Sequence, residues 1–380
     1  MREKNTITTR FLPFYPCMPS DFFSPQPWFR QDYVEARNIF LREQQQCASI
    51  GTQEATSYTH PLLSPAGQEI ATDVLWMGPQ ESNRVVVLIS GTHGIEGYAG
   101  SATQSFLLSL FRKGKLALPE DMALLVIHAL NPWGMAWHRR CDDQGIDINR
   151  NFIDFEHSLP HDPDYHRVHP WMFCRNHEHR KQGLAQLEGI LGTKRYEEAL
   201  SGGQYEDPKA PFYGGITPSR ARICIESVMQ QYRLAQRDLV VLDVHTGLGA
   251  WGYGELMCDH PLQSPQQSCA QGIFGAAVTM AADGSSSSVP KKGLLDYAWH
   301  DIMSPNSCFL TLEFGSYSNA RLFDTIIENH CIWAQEIDLI LCHEQSKEKM
   351  LSHFSPNDVF WQRSVLFQAW QSMHILFSRW

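Results

Sequence analysis

Four short runs of apolar residues, rich in valine, isoleucine and leucine, constrain the fold of this chain more than any other feature. They span residues 84–90, 122–130, 238–245 and 308–315. A continuous apolar run of this length is typical of a strand buried on both faces, and such strands belong to parallel sheets covered by helices. The runs therefore predict an α/β fold: a mixed, largely parallel, twisted sheet flanked by helices.

Amphipathic segments between and after these runs predict the flanking helices. Residues 31–48 and 97–112 have helical spacing, whereas residues 67–78 are typical of a further strand. Residues 357–378 form one long segment with an apolar face. Asparagine is a preferred N-cap residue, so we expect Asn357 to begin this last helix.

The chain has no internal repeat and no obvious linker, so we expect a single domain over residues 1–380. Residues 1–30 are rich in proline, phenylalanine and serine and predict an extended arm. Residues 155–181 are dense in histidine and proline. They could bind a metal, but their sequence fixes no ligand geometry, so we expect a solvated, lid-like segment.

Composition excludes several functions. The net charge is −10 and no run is rich in lysine or arginine, which argues against a nucleic-acid or anionic-membrane partner. No stretch of about 18 apolar residues predicts a membrane span, and the N-terminus lacks the apolar region of a signal peptide. The ten cysteines are scattered without a C-x-x-C pair, so we expect reduced thiols and a cytoplasmic location.

The turn after the first apolar run, GTHGIEG (91–97), places a histidine and a glutamate three positions apart. Zinc binds imidazole nitrogen and carboxylate oxygen, and a catalytic site uses about three protein ligands and one open position. His93 and Glu96 are therefore candidate ligands, although H-x-x-E also arises by chance. His245, at the end of the third run, is the candidate third ligand. Its alternative role is that of a buried structural histidine.

The segment after the second run carries several groups that can bind an anion. Arginine holds a carboxylate through two parallel hydrogen bonds. Arg139, Arg140 and Arg150, together with Asn149, are candidate substrate-binding residues. The alternative is that the arginines hold a loop in place. Asp147 could accept the second ring N–H of a ligating histidine.

Glu313 ends the fourth apolar run, in TLEFG. A carboxylate in a buried strand is unfavourable unless it is paired, hydrated or functional. Next to a zinc site it could act as a general base and then return the proton to the leaving amine.

Taken in order, these motifs resemble those of the M14 zinc carboxypeptidases. The shared features are H-x-x-E, N-P-x-G with a downstream arginine, D-x-N-R-N-F, a distal strand-end histidine and a last strand with T-x-E. The chain is more similar to the DUF2817 branch of that clan, whose pattern includes G-T-H-G-x-E-G and D-x-H-T-G-L-G. The resemblance runs from about residue 30 to about 330. It implies a zinc-carboxypeptidase-like three-layer sandwich.

The resemblance also implies roles by motif position. One Zn²⁺ per chain would be held by His93, Glu96 and His245, with Asp147 orienting the first histidine. Arg140, with Arg139 as its neighbour, would polarise the scissile carbonyl. The remaining implied residues are Asn149 and Arg150 for the substrate's terminal carboxylate, and Glu313 as the general base.

The chain departs from the family pattern in places. Digestive-type carboxypeptidases carry a tyrosine on a mobile loop between the third zinc ligand and the catalytic glutamate. Here that interval holds Tyr253 and Tyr297, neither within an alignable motif. Residues 153–235 are an insertion relative to the simplest members, and the tail from 331 to 380 is unmatched. Neither the substrate nor the side-chain preference follows from the sequence.

The function implied is zinc-dependent hydrolysis of an amide bond beside a free carboxylate, by a metallocarboxypeptidase acting on a small peptide. One alternative is an N-acyl amino acid amidohydrolase, because the desuccinylase and aspartoacylase branch of the clan shares several of these motifs. Another is a non-catalytic binding protein on the same fold. The complete set of ligands and base argues against that third possibility.

Overall fold

The computed structural model describes residues 21–48, 53–174, 176–335 and 338–380. Its centre is an eight-stranded sheet in the order β1-β2-β4-β3-β5-β8-β6-β7. The strands are β1 (Gln53–Leu63), β2 (Glu69–Met77), β3 (Arg84–Ser90), β4 (Met122–His128), β5 (Asp238–Gly247), β6 (Gly254–Met257), β7 (Val278–Thr279) and β8 (Cys308–Gly315).

The four predicted apolar runs form the four adjacent central strands. β4, β3, β5 and β8 are parallel to one another. β2 runs antiparallel to β4, and β6 runs antiparallel to β8. The expected mixed, largely parallel sheet is therefore confirmed.

Helices cover both faces of this sheet. They are α1 (Tyr33–Cys47), α2 (Gly97–Arg112), α3 (Pro132–Ala136), α4 (Tyr165–Met172), α5 (His177–Leu191), α6 (Thr193–Ser201), α7 (Arg220–Gln231), α8 (Pro265–Phe274), α9 (Asp296–His300), α10 (Asn319–Trp333), α11 (Leu339–Phe354) and α12 (Val359–Arg379). None of the helices within the described ranges has the length and apolar character needed to cross a bilayer.

Alternation along β3 explains why helices are needed on both sides. Val86 and Leu88 pack in one apolar cluster with residues of α1, α2, α8 and α12. Val85, Val87 and Ile89 pack in a second cluster with residues of α7 and α9. Successive side chains of a strand point to opposite faces, so an all-apolar strand must be covered twice.

Two predicted boundaries are wrong. The second run ends as a strand at His128 rather than at residue 130, because Ala129 takes a left-handed conformation with φ of 54° that a strand cannot include. The last helix begins with Asp358, not Asn357, as its N-cap. The Asp358 carboxylate accepts a hydrogen bond from Trp361 N at 2.8 Å, and its negative charge suits a helix N-terminus.

Residues 153–235, the predicted insertion, form several helices, and one of them packs on the central sheet. The histidine-rich segment contains α4 and most of the first two turns of α5, which the sequence did not predict. Farther along, α7 packs directly on one face of the sheet through Ile225 and Val228. Residues 1–20 of the predicted arm lie outside the described residues. Within the rest, Phe22 and Phe23 make edge-on contacts with the ring of Trp370.

Candidate functional site

Three chain segments meet at the carboxyl ends of the central strands. His93 and Glu96 lie in the turn after β3, whereas His245 and Glu313 are cross-strand neighbours on β5 and β8. The turn can approach the next segment closely because residue 94 is glycine: a Cβ there would lie 2.1 Å from the carbonyl carbon of Gly134. This edge of an open α/β sheet is the usual place for a ligand.

Two histidine nitrogens and the carboxylate of Glu96 converge in the buried space between these segments. His93 Nδ1 lies 3.0 Å from Glu96 Oε1, and His245 Nδ1 lies 3.1 Å from Glu96 Oε2. The two Nδ1 atoms are 3.2 Å apart. Zinc bonds of about 2.0–2.1 Å at tetrahedral angles place two ligand atoms about 3.3 Å apart. The donor set therefore fits a tetrahedral metal ion in both chemistry and spacing.

Each histidine presents its other ring nitrogen to a buried carboxylate. His93 Nε2 lies 3.1 Å from Asp147 Oδ1, and His245 Nε2 lies 2.6 Å from Asp243 Oδ2. The Thr92 hydroxyl donates to Asp243 in turn. Carboxylates in this position fix the orientation of metal-ligating histidines and raise their basicity. Asp147 was predicted from sequence. Asp243 was missed, although its position two residues before a strand-end histidine was a usable signal.

Arg140 lies directly against the ligand set. Its Nη1 donates to Glu96 Oε1 and its Nε donates to Asp147 Oδ2, both at 2.9 Å. Its Nη2 also lies 2.7 Å from His93 Nε2. Because a guanidinium only donates, this contact requires a different His93 tautomer from the one that donates to Asp147. An ion on His93 Nδ1 would select the Asp147-donating tautomer.

Neighbouring charges shift the pKa values of two candidate ligands, Glu96 and His245. Burial by itself would raise the pKa of Glu96, but the charge of His93 and hydrogen bonds from both histidines hold that pKa well below its usual range. Burial opposes the charged form of His245, yet Asp243 and Glu96 raise the pKa of that imidazole well above its usual value. The anionic form of Glu96 is the form that binds a cation, and an imidazole must give up its proton at the ligand nitrogen when an ion binds.

Glu313 differs from Glu96 although both are buried. Its Oε1 accepts one hydrogen bond, from Leu248 N at 2.9 Å. Burial, together with the negative charge of Glu96, raises the pKa of Glu313 to about 8. A carboxyl group with a pKa near neutrality can exchange a proton with a substrate at working pH, which is the property required of a general acid–base.

The predicted substrate-binding residues separate into two groups. Arg140, Asn149 and Arg150 line the pocket in front of the ligand set. Arg139 is not brought to the pocket, because its guanidinium stacks 4.5 Å from the ring centroid of Trp333 and its Nε donates to Asn329.

Arg150 is buried and partly committed to the protein backbone. Its Nε and Nη2 donate to the Ser201 carbonyl at 3.1 and 2.8 Å, and its Nη1 donates to the Asn149 carbonyl. The Asn149 side chain accepts a hydrogen bond from Leu295 N at 2.7 Å. These contacts fix both side chains. Arg150 keeps N–H groups beyond these three contacts for a ligand, since a guanidinium has five.

The same pocket is lined by three further ionisable side chains that the sequence did not predict: Asp259, Lys291 and Asp296. Lys291 Nζ donates to Ser201 Oγ at 2.8 Å. Burial, with the nearby charges of Arg150 and Arg140, lowers the pKa of Lys291 to about 7. Asp296 Oδ1 is buried without a hydrogen-bond partner among the described residues. No sequence motif marks these residues: Asp259 and Lys291 lie in loops, and Asp296 is the first residue of α9.

Neither candidate tyrosine lines the pocket. Tyr253 is 50% exposed. Tyr297 donates its hydroxyl hydrogen to the Lys291 carbonyl at 3.0 Å, so it supports the loop that carries Lys291.

Comparison with known proteins places these observations in a family. The DUF2817 family, described as "Protein of unknown function", matches residues 29–368. Comparison with curated proteins found no significant match.

Several solved structures are similar. Carboxypeptidase A from Helicoverpa armigera is 13% identical, with a TM-score of 0.48 over 84% of this chain and 74% of that one. Bovine thrombin-activatable fibrinolysis inhibitor is 12% identical, with a TM-score of 0.47 over 87% and 99%. A succinylglutamate desuccinylase/aspartoacylase from Rhodobacter sphaeroides is 13% identical, with a TM-score of 0.32 over 80% and 66%. At these values none of the three carries a functional conclusion.

Proposed function

The chain belongs to the DUF2817 family, and on that premise we propose that it is a zinc-dependent hydrolase that cleaves an amide bond beside a free carboxylate. The type we propose is a metallocarboxypeptidase of the M14 clan, active in the cytoplasm. One observation carries the proposal: the Nδ1 atoms of His93 and His245 converge on the buried Glu96 carboxylate, next to Glu313, a buried glutamate whose pKa is raised to about 8.

His93, Glu96 and His245 would hold the ion. When bound, zinc would supply Lewis acidity that polarises a carbonyl group and activates water at neutral pH. Asp147 and Asp243 keep the two imidazoles aligned, since each carboxylate faces the ring nitrogen opposite the ligand atom.

Glu313 takes the proton from the attacking water and passes it to the leaving amine. Its hydrogen bond from Leu248 N leaves its second oxygen for this transfer. The base form requires an ionised carboxylate, and a bound cation favours that form. Arg140 donates to Glu96 and also lines the pocket, where it can donate to the developing negative charge on the carbonyl oxygen.

Asn149 and Arg150 hold the substrate's carboxylate and so fix which bond lies at the reacting groups. We expect Arg150→Ala to raise KM for carboxylate-bearing substrates about 10-fold or more, because a hydrogen bond to a charged group contributes about 1.5–3 kcal/mol. Steady-state kinetics on a substrate and on its C-terminal amide checks this. The amide, which has no carboxylate to lose, should respond far less, and equal effects on both would remove Arg150 from carboxylate binding.

The second candidate, an N-acyl amino acid amidohydrolase, is favoured by one observation. Lys291 adds a cation beside Arg150 in the pocket, and two cations suit an N-acyl amino acid whose acyl group or side chain carries a second carboxylate. A metallocarboxypeptidase needs only one carboxylate site. A panel of blocked dipeptides and N-acyl amino acids distinguishes the two activities by the class that is hydrolysed faster.

The low pKa of Lys291 gives a further expected result. Lys291 loses its charge as pH rises through about 7, so KM for dianionic N-acyl amino acids should rise above that pH. Lys291→Met should raise KM for these substrates at pH 6 and abolish this pH dependence. Lys291→Arg should retain low KM at pH 8. An unchanged KM profile in Lys291→Met would show that no anion binds there.

A further inference from the structure

Three potential metal ligands meet on the surface of the insertion, outside the pocket lining. His161 precedes α4, His166 lies in its first turn, and Glu206 follows α6. His161 Nδ1 lies 3.0 Å from Glu206 Oε1, and His166 Nδ1 lies 3.7 Å from Glu206 Oε2. One ligand atom from each of the three residues lies within 4.8 Å of the other two.

We propose that His161, His166 and Glu206 form a second zinc site. Tetrahedral zinc places ligand atoms about 3.3 Å apart, and the two observed nitrogen–oxygen distances lie on either side of that value. Imidazole with carboxylate is a ligand set for zinc rather than for calcium or magnesium, which prefer oxygen alone. Exposure of all three side chains leaves room for water as the fourth ligand.

The alternative to a metal site is a cluster of exposed hydrogen bonds and ion pairs. The two imidazole rings have centroids 5.3 Å apart and face opposite oxygens of one carboxylate. In that case each ring would donate its Nδ1–H toward the Glu206 oxygen that it faces. Exposed ion pairs also contribute little to stability. A shared cation satisfies both neutral rings and the carboxylate together.

The site would fix the insertion against the segments that build the pocket. Beside Glu206, the Tyr205 hydroxyl donates to the Arg150 carbonyl at 2.7 Å. Lys292, next to Lys291, donates from Nζ to the His161 carbonyl at 3.1 Å. An ion that joins residue 206 to residues 161 and 166 closes a loop of roughly 40 residues, which lowers the entropy of the unfolded chain.

The test is a zinc titration of the full chain after its metal has been removed with a chelator. We expect wild type to bind two equivalents and the double variant His161→Gln/His166→Gln to bind one. The matched control is His157→Gln: this histidine is in the same segment, its side chain is 81% exposed, and its Nδ1 lies 2.7 Å from Asp154 Oδ2, outside the three-residue cluster. It should retain two equivalents. Zinc should also raise the melting temperature of wild type more than that of the double variant.

The outcomes separate this proposal from the proposed function. Two equivalents in the double variant would overturn the second site. A single wild-type equivalent that His245→Ala abolishes would also overturn it, and would leave the proposed catalytic zinc intact. Conversely, an equivalent that persists in His245→Ala and disappears when both surface histidines are also replaced would support it.

Discussion

Glu313→Gln is expected to retain the zinc content of wild type and to lower kcat by about 10²–10⁴-fold, the usual contribution of general acid–base catalysis. Glutamine has nearly the same shape and keeps an oxygen for the hydrogen bond from Leu248 N, but it cannot accept the proton. The measurement is kcat under saturating substrate, alongside zinc content by elemental analysis.

The chain offers a matched control for this variant. Glu255 lies directly opposite Glu313 on the neighbouring strand β6, and it is equally buried. Its Oε1 accepts hydrogen bonds from Thr279 and Ser287, and it does not line the pocket. Glu255→Gln should therefore leave kcat within a few-fold of wild type. Wild-type turnover in Glu313→Gln would remove Glu313 from the chemistry.

His245→Ala is expected to lose one zinc equivalent relative to wild type, and to lose hydrolytic activity with it. This histidine supplies one of three converging ligand atoms, and its partner Asp243 cannot replace it because that carboxylate faces the opposite ring nitrogen. Zinc content after gel filtration, compared with wild type prepared in the same way, measures the loss.

His128→Gln is the control for His245→Ala. His128 is also fully buried at the end of a central strand, but its Nε2 contacts Ser101 Oγ at 2.9 Å and it is outside the ligand set. The control should retain its zinc. Full zinc content in His245→Ala, or loss of zinc in His128→Gln, would assign the third ligand to another residue.

The central strands could be predicted because a strand that is buried on both faces is a continuous run of apolar residues in the sequence. The two edge strands, β1 and β7, and the short strand β6 could not be predicted. In β1 most side chains are at least partly exposed, and a proline lies within it, so neither pattern nor propensity indicates a strand. β6 and β7 contain only four and two residues, too few for periodicity to show.

The site residues also differ in how far the sequence predicts them. His93 and Glu96 are three residues apart, and the local motif already suggests that they act together. His245 and Glu313 become neighbours only through the register of β5 with β8, yet each ends an apolar run and could be placed at the same sheet edge.

Other residues, in the pocket and in the surface cluster, come together by tertiary structure alone. Lys291 reaches the pocket through a loop and a hydrogen bond to Ser201. Glu206 joins two histidines some 40 residues earlier through the packing of the insertion. The two adjacent arginines show the limit of sequence position. Both Arg139 and Arg140 follow the second apolar run, but Arg140 contacts Glu96 whereas Arg139 stacks on Trp333. Adjacent residues after a strand commonly point in different directions, which spacing by itself does not resolve.

The most direct test of the account is hydrolysis of a mixed panel of blocked dipeptides and N-acyl amino acids by the purified chain, measured before chelation, after chelation and after zinc is restored. The account predicts that hydrolysis of carboxylate-bearing substrates disappears with the metal and returns with zinc. Hydrolysis that continues after chelation, once elemental analysis shows no zinc, or no hydrolysis of any panel member by the zinc-loaded chain, would contradict it.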